Sequence, residues 1–329
     1  MRPIGALGAL AAGLLCAGLA AGGAAAQEWK PARNVDIVVA SSAGGSSDRT
    51  ARVTQKLLQA NPVFPSVSVT NRGGGGGTMA WTFLTQHPGD AHYIATFSTT
   101  MLTNNLLGMS KLSYQDFTPL SILLREYIVL AVRAESPIAS AKELLERLRK
   151  DPAALSFAYS SSRGNHNHVM IGIIAKAAGA DPKKTRSVIY NSGGEALAAM
   201  LGGHIDVFVG APANPLPLME TGKVRAIGMT AAQRQPGRAA SVPTFREQGV
   251  DAVFFSWRGF VAPKGLSPAQ IAFWDQAFAR AVQADEWKKD AEKNAWAEDL
   301  LTSAETRRHL DYENDVMAKM LVDMGVIAR

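Results

Sequence analysis

The residue pattern predicts an α/β fold in two lobes, and three observations carry that reading. From Val35 onward the chain repeats one unit: a short apolar or β-branched run, a turn rich in Gly, Ser and Asn, then a helical stretch, as a parallel α/β sheet requires. Two apolar runs, the unusually continuous Leu120 to Val132 and Trp257 to Ala262, which lacks a following Gly-rich turn, fit strands that cross between lobes. About 300 residues past an apolar leader are more than one ordinary core accommodates.

The predicted strands are Val35–Ala40, Val67–Thr70, Tyr93–Phe97, Ile128–Val132, Leu155–Tyr159, Ser187–Tyr190, Ile205–Val209, Val224–Met229 and Gly259–Ala262. Helices are expected after most of them. Capping-box spacing at Ser140 with Glu143, Ser267 with Gln270, and Thr302 with Glu305 places three helices at about 140–149, 268–284 and 303–324. If the two apolar runs are the crossovers, one lobe is 27–124 plus 252–329 and the other is 125–251. Each sheet is then doubly wound, with a ligand cleft between the lobes.

Residues 1–26 have the order of a secretory signal peptide: Arg2, an apolar run from Ile4 to Ala21, then the small residues Ala24 to Ala26. Cleavage is expected before Gln27, placing the mature protein in the periplasm. Lipid attachment at Cys16 is the weaker alternative, because Leu15 stands where that processing wants a small residue. No later run reaches the roughly 20 apolar residues of a membrane span, so the mature protein is expected to be soluble. Cys16 is the only cysteine, so thiol catalysis, thiolate metal sites and disulfides are not expected in the mature chain. The net charge of +6 suits an anionic solute better than nucleic acid, since no basic run is interleaved with aromatics.

Three loops carry the candidate chemistry. The first, Ser41 to Asp48, joins a strand to a helix through Gly44 and Gly45, and Ser46, Ser47 and Asp48 sit at the helix start. Exposed N–H groups at such a start favour an anion, although Ser47 or Asp48 acting as a simple N-cap explains the same residues. The second runs from Ser160 through Ser161, Ser162, Arg163, Gly164 and Asn165 to His168, and Arg163 could meet a carboxylate with two hydrogen bonds. The third is Tyr190, Asn191, Ser192, Gly193, Gly194 and Glu195. Ligands of open α/β sheets sit beyond the carboxyl ends of the strands, so the three loops can converge on one cleft.

Other chemistry fits less well. His166 and His168 spell a metal-like pair, but no third ligand lies near in sequence. Ser162 with either histidine would make a serine hydrolase, yet Ser160 stands where a nucleophile elbow needs glycine, and no acid completes a triad. Gly73 to Gly77 lack the Gly-Lys-Ser/Thr ending of a P-loop. No cofactor is expected.

At these loops the sequence resembles the substrate-binding proteins of tripartite tricarboxylate transporters, the TctC or Bug family. The resemblance spans the mature chain. It is carried by Ala43 to Asp48; by Asn71, Arg72 and Gly73 to Thr78; by Tyr190 with Gly193 and Gly194; and by Gly202 to Asp206. Gly222 to Ile227, Val242 to Phe245 with Glu247 and Gly249, and Trp257, Gly259, Ala262, Pro263 and Gly265 continue it. Departures occur at Gly73 and Gly75, which replace the usual Pro and Ala, at Pro88–Asp90, and at Arg163, where many members have a small or apolar residue.

The resemblance implies a type II periplasmic binding fold whose loops at 44–48, 160–165 and the Tyr190 turn hold a ligand carboxylate. The expected site is Gly44, Gly45, Ser46, Ser47, Asp48, Thr99, Ser161, Ser162, Arg163, Gly164, Asn165, Tyr190, Ser192, Gly193 and Asp206. Its expected ligand is a dicarboxylate, tricarboxylate or aromatic carboxylate, and its expected partners are the permease subunits of the transporter. A monomer suffices for that task. The capture step would serve a membrane sensor kinase equally well.

Overall fold

The computed structural model describes residues 28–327, so the expected leader, its cleavage point and Cys16 lie outside the described residues. The chain begins β1 (Val35–Val39), α1 (Ser46–Gln59), β2 (Val67–Asn71), α2 (Thr78–Leu84), β3 (Tyr93–Phe97), α3 (Thr99–Leu106), β4 (Phe117–Tyr127). It continues β5 (Val129–Arg133), α4 (Ala141–Lys150), β6 (Ser156–Ser160), α5 (His166–Ala177), β7 (Arg186–Tyr190), α6 (Gly193–Leu201), β8 (Val207–Gly210), α7 (Leu216–Glu220), β9 (Val224–Met229). It ends β10 (Phe255–Pro263), α8 (Pro268–Gln283), α9 (Asp285–Asn294), β11 (Trp296–Leu301), α10 (Ser303–Asp323).

These strands form two sheets. One has the order β11-β4-β10-β3-β1-β2 and the other β7-β6-β8-β5-β9. Both are mixed, with antiparallel strands beside the parallel βα units. β1 runs parallel to β2 and β3, but β10 is antiparallel to β3 and β4. In the second sheet β6 is parallel to β7 and β8, while β5 is antiparallel to β8 and β9. The antiparallel members β4, β5 and β10 contain the two apolar runs expected to cross between lobes.

The continuous run from Leu120 divides at Ile128. Residues up to Tyr127 pair in the first sheet and those from Val129 in the second. Thr230 fastens this crossing: its Oγ1 accepts from Ile128 N at 2.9 Å, its N–H donates to the Ile128 carbonyl, and its carbonyl accepts from Phe254 N just before β10. The two crossings therefore lie side by side, as a hinge between lobes requires.

Each sheet is buried on both faces. Trp274, Phe278 and Trp287 pack on one face of the first sheet, and Trp81, Met101 and Leu310 on the other. The second sheet is covered by Leu144, Met170 and Ile174 on one side and by Leu197, Met200 and Leu216 on the other. Full capping boxes form at Ser267–Gln270 and Thr302–Glu305. At Ser140 the box is incomplete, because the Glu143 carboxylate accepts from Ala139 N instead. Helix α10 starts against β4, but Met317, Leu321 and Met324 near its end pack with Val169 of α5.

Candidate functional site

A cleft of about 50 Å3 lies where the strand ends of both sheets meet, room for a handful of waters at roughly 10–15 Å3 each. Its lining includes Ser41, Gly45, Ser46 and Ser47 from the first loop, Ser98 and Thr100 at the start of α3, and Ser160, Ser161, His166 and Asn167 around α5. Asn191, Ser192, Gly193 and Asn214 add to the second-sheet side. Gly76 and Arg258 complete the polar part of the wall, and Ala40, Trp81, Phe97 and Ala211 form its apolar part. All three predicted loops therefore converge.

Direct contacts bridge the two lobes here. The Thr99 hydroxyl and His166 Nδ1 share a hydrogen bond of 2.9 Å, and Arg49 Nη2 donates to Asn214 Oδ1 at 3.1 Å. Gly76, with φ of +62°, is glycine for two reasons: the left-handed backbone, and the Ser162 Cβ and Asn104 Nδ2 that a side chain would meet at 2.7 and 2.8 Å. Ser161 adopts φ of +89°, a strained conformation for a residue with a side chain, held by its N–H donating to the Tyr190 carbonyl at 3.0 Å.

The first loop is ordered by Asp48. Its carboxylate accepts from Gly44 N at 3.0 Å, Asn71 Nδ2 at 2.9 Å and Arg52 Nε at 3.1 Å. Burial works to raise the pKa of Asp48, but these donors outweigh it and hold the carboxyl below its ordinary value. The left-handed turn belongs to Gly44, at φ of +80°, whereas Gly45 has an ordinary φ of −81° and room for a Cβ at 3.4 Å from Ser41 Oγ.

Beneath the loop lies an ion pair that the sequence reading missed. Arg258 of β10 and Glu126 of β4 are 6% and 2% exposed, and Arg258 Nη2 donates to Glu126 Oε2 at 3.0 Å. Arg258 Nη1 donates to Ser256 Oγ and to the Trp257 carbonyl, while Nε has no partner among the described residues. Ser46 Oγ donates to both Glu126 oxygens, at 2.7 and 2.9 Å. The signal was present: Arg258 is the one charge in an apolar strand, and Glu126 interrupts the other apolar run.

Several expected residues stand elsewhere. Arg163 is exposed and lines a separate cavity of about 410 Å3 with Tyr159, His168, Lys183, Ser187 and Met324, which shares no residue with the cleft. The loop turns at Gly164, φ +78°, and carries Arg163 away. Asp206 accepts from Ser156 N and Oγ at 2.8 and 2.7 Å, at the opposite end of β6 from the cleft. Asn165 caps α5, accepting from Asn167 N and His168 N. Gly44, Asp48, Thr99, Ser162, Gly164 and Tyr190 are not among the residues that line the cleft.

The two histidines face different cavities. His166 lines the cleft; His168 lines the Arg163 cavity, accepts from Gly164 N at 2.9 Å and stacks on Tyr159. Ser162 Oγ is buried without a hydrogen-bond partner among the described residues, so neither histidine is hydrogen-bonded to it. Burial, and then the charge of Arg258, holds His166 well below the usual imidazole pKa. It is neutral at pH 7.

The family description "Tripartite tricarboxylate transporter family receptor" matches residues 51–315. BugT of Bordetella pertussis is 26% identical over 259 residues, spanning 77% of this chain and 78% of that protein. Among solved structures, the periplasmic binding protein BugD superposes with a TM-score of 0.81 at 22% identity, covering 90% of this chain and 99% of that one. Rpa4515 of R. palustris, solved with adipate, gives 0.82 at 23% identity, covering 90% and 98%. The structural likenesses establish a two-lobed periplasmic binding fold of type II.

Proposed function

The chain belongs to the tripartite tricarboxylate transporter receptor family, and from that membership we propose that it captures a small carboxylate-bearing solute in the periplasm and presents it to the permease subunits of such a transporter. One observation supports the reading most: the first turn of α1 faces the cleft with no side chain capping it, close to a buried guanidinium. Free N–H groups at a helix start, with the positive end of its dipole, favour an anion. Rpa4515 holds adipate in a protein of the same fold.

Capture by closure needs no bond-breaking group. Two lobes joined by side-by-side crossings can open to admit a solute and close over it, and the affinity comes from contacts made by both walls. A panel of carboxylates and their matching amides, each at 1 mM with the purified protein, tests this by thermal melting. A carboxylate at 100 times its Kd adds about 2.7 kcal/mol and raises the melting temperature by several degrees. Stabilisation by no carboxylate, or equally by the amides, contradicts the reading.

A further inference from the structure

Four helices of eight residues or more, α1, α3, α5 and α6, start at the cleft, and they differ in one respect. Ser98 caps α3 by accepting from Thr100 N, Asn165 caps α5, and Ser192 caps α6 by accepting from Glu195 N. The Glu195 carboxylate also accepts from Asn191 N. Of these four, α1, whose N-cap is Gly45, is the one with no side-chain cap among the described residues.

The charges divide the same way. Arg258 is the one charged residue in the cleft wall, and Arg49, held by Asn214 and the Gly44 carbonyl, stands beside it. Glu126 neutralises one of these two cations. Asp48 is matched by Arg52 below the first loop, and Glu195 adds an exposed negative charge at the rim of the third. Counting only Arg258, Arg49 and Glu126, one positive charge is left over, and the exposed Glu195 is screened by solvent at the rim. Arg163, the cation that a second ligand carboxylate would need, lines the other cavity.

Resting on the reading that the cleft receives a carboxylate, we infer that this receptor selects a ligand with a single carboxylate and a neutral, hydrogen-bonding remainder. The carboxylate sits at the start of α1 against Arg258, whose buried Nε has a hydrogen still unpaired. The rest of the ligand meets neutral groups: Ser98, Ser161, Asn191 and Asn167, whose buried Oδ1 also lacks a partner and asks for a donor. A second carboxylate would lose its hydration among self-capped helix starts with no cation in return, and that loss discriminates against diacids.

The test is isothermal titration of the purified protein with matched sets that keep shape and change charge: succinate, succinamate and succinamide, with the adipate, malate and terephthalate equivalents. On at least one skeleton the monoamide should bind at least tenfold more tightly than the diacid, and the neutral diamide should not bind. Glu126→Gln, checked for folding by circular dichroism, leaves a second uncompensated cation and should narrow the gap by about tenfold. Diacids binding as tightly as monoamides on every skeleton overturn this inference while leaving carboxylate capture standing. No binding by either acid form overturns both.

Discussion

Glu126 Oε2 receives the Arg258 guanidinium at 3.0 Å while both its oxygens accept from Ser46, so β4 and β10, the strands next to the two crossings, and the first loop meet at one buried carboxylate. Removing one member strands the other charge in the interior. Arg258→Met should cost about 3–5 kcal/mol in denaturant unfolding, and adding Glu126→Leu should recover most of it. A single variant as stable as the double would show that the charges do not depend on each other.

Ser161 carries backbone strain within the cleft wall, at φ of +89°. Glycine relieves it, at some entropic cost in the unfolded chain, so Ser161→Gly should leave stability unchanged or raise it by up to about 1 kcal/mol. The same change removes a hydroxyl from the wall and should weaken ligand binding several-fold. A variant destabilised by more than about 1 kcal/mol, with affinity intact, would mean that the hydroxyl serves the fold rather than the ligand.

Arg163 gives the opposite expectation. Its cavity shares no residue with the cleft, so Arg163→Ala should change affinity for any carboxylate by less than about twofold. Titration of the wild type and variant side by side checks this. A tenfold loss would put Arg163 in contact with ligand.

Three histidines resist protonation in the fold. Burial, then the nearby charge of Arg163, pushes His168 down to about 4; burial, then Arg258, lowers His166; burial lowers His309, with Asp299 opposing and Arg125 adding. Their unfolded forms take up protons near pH 6.5, so the stability they confer is complete above that value and is lost as pH falls toward 4. For His168 alone the loss is about 3 kcal/mol across that window. Asp48, with its depressed pKa, loses its contribution only below about pH 4. Urea midpoints should therefore fall between pH 7 and 5, and less steeply in His168→Gln. A flat profile there would contradict neutral burial.

The strands were legible because each short apolar run ends in a turn with its own chemistry: Gly44 at a left-handed turn, Asn165 and Ser192 as caps. Segment 285–301 was not, because Asp285 to Asn294 carry many charges and Trp296 to Leu301 alternate too weakly to signal a strand. Loop residues show that a loop reaches the cleft but not which way each side chain turns. Asn165 and Arg163 are neighbours in sequence, yet one turns inward to cap α5 and the other points to a separate cavity. Arg258 and Glu126 lie 132 positions apart, and their pairing depends on β4 and β10 being adjacent. Local spacing carries no record of that.

The most direct test of carboxylate capture is the structure of the protein loaded with its tightest-binding acid. The expected density places a carboxylate within hydrogen-bond distance of the Ser46 or Ser47 amide and of Arg258, with both lobes touching the ligand. An acid lodged beside Arg163 and Lys183, with the cleft holding only water, would contradict it.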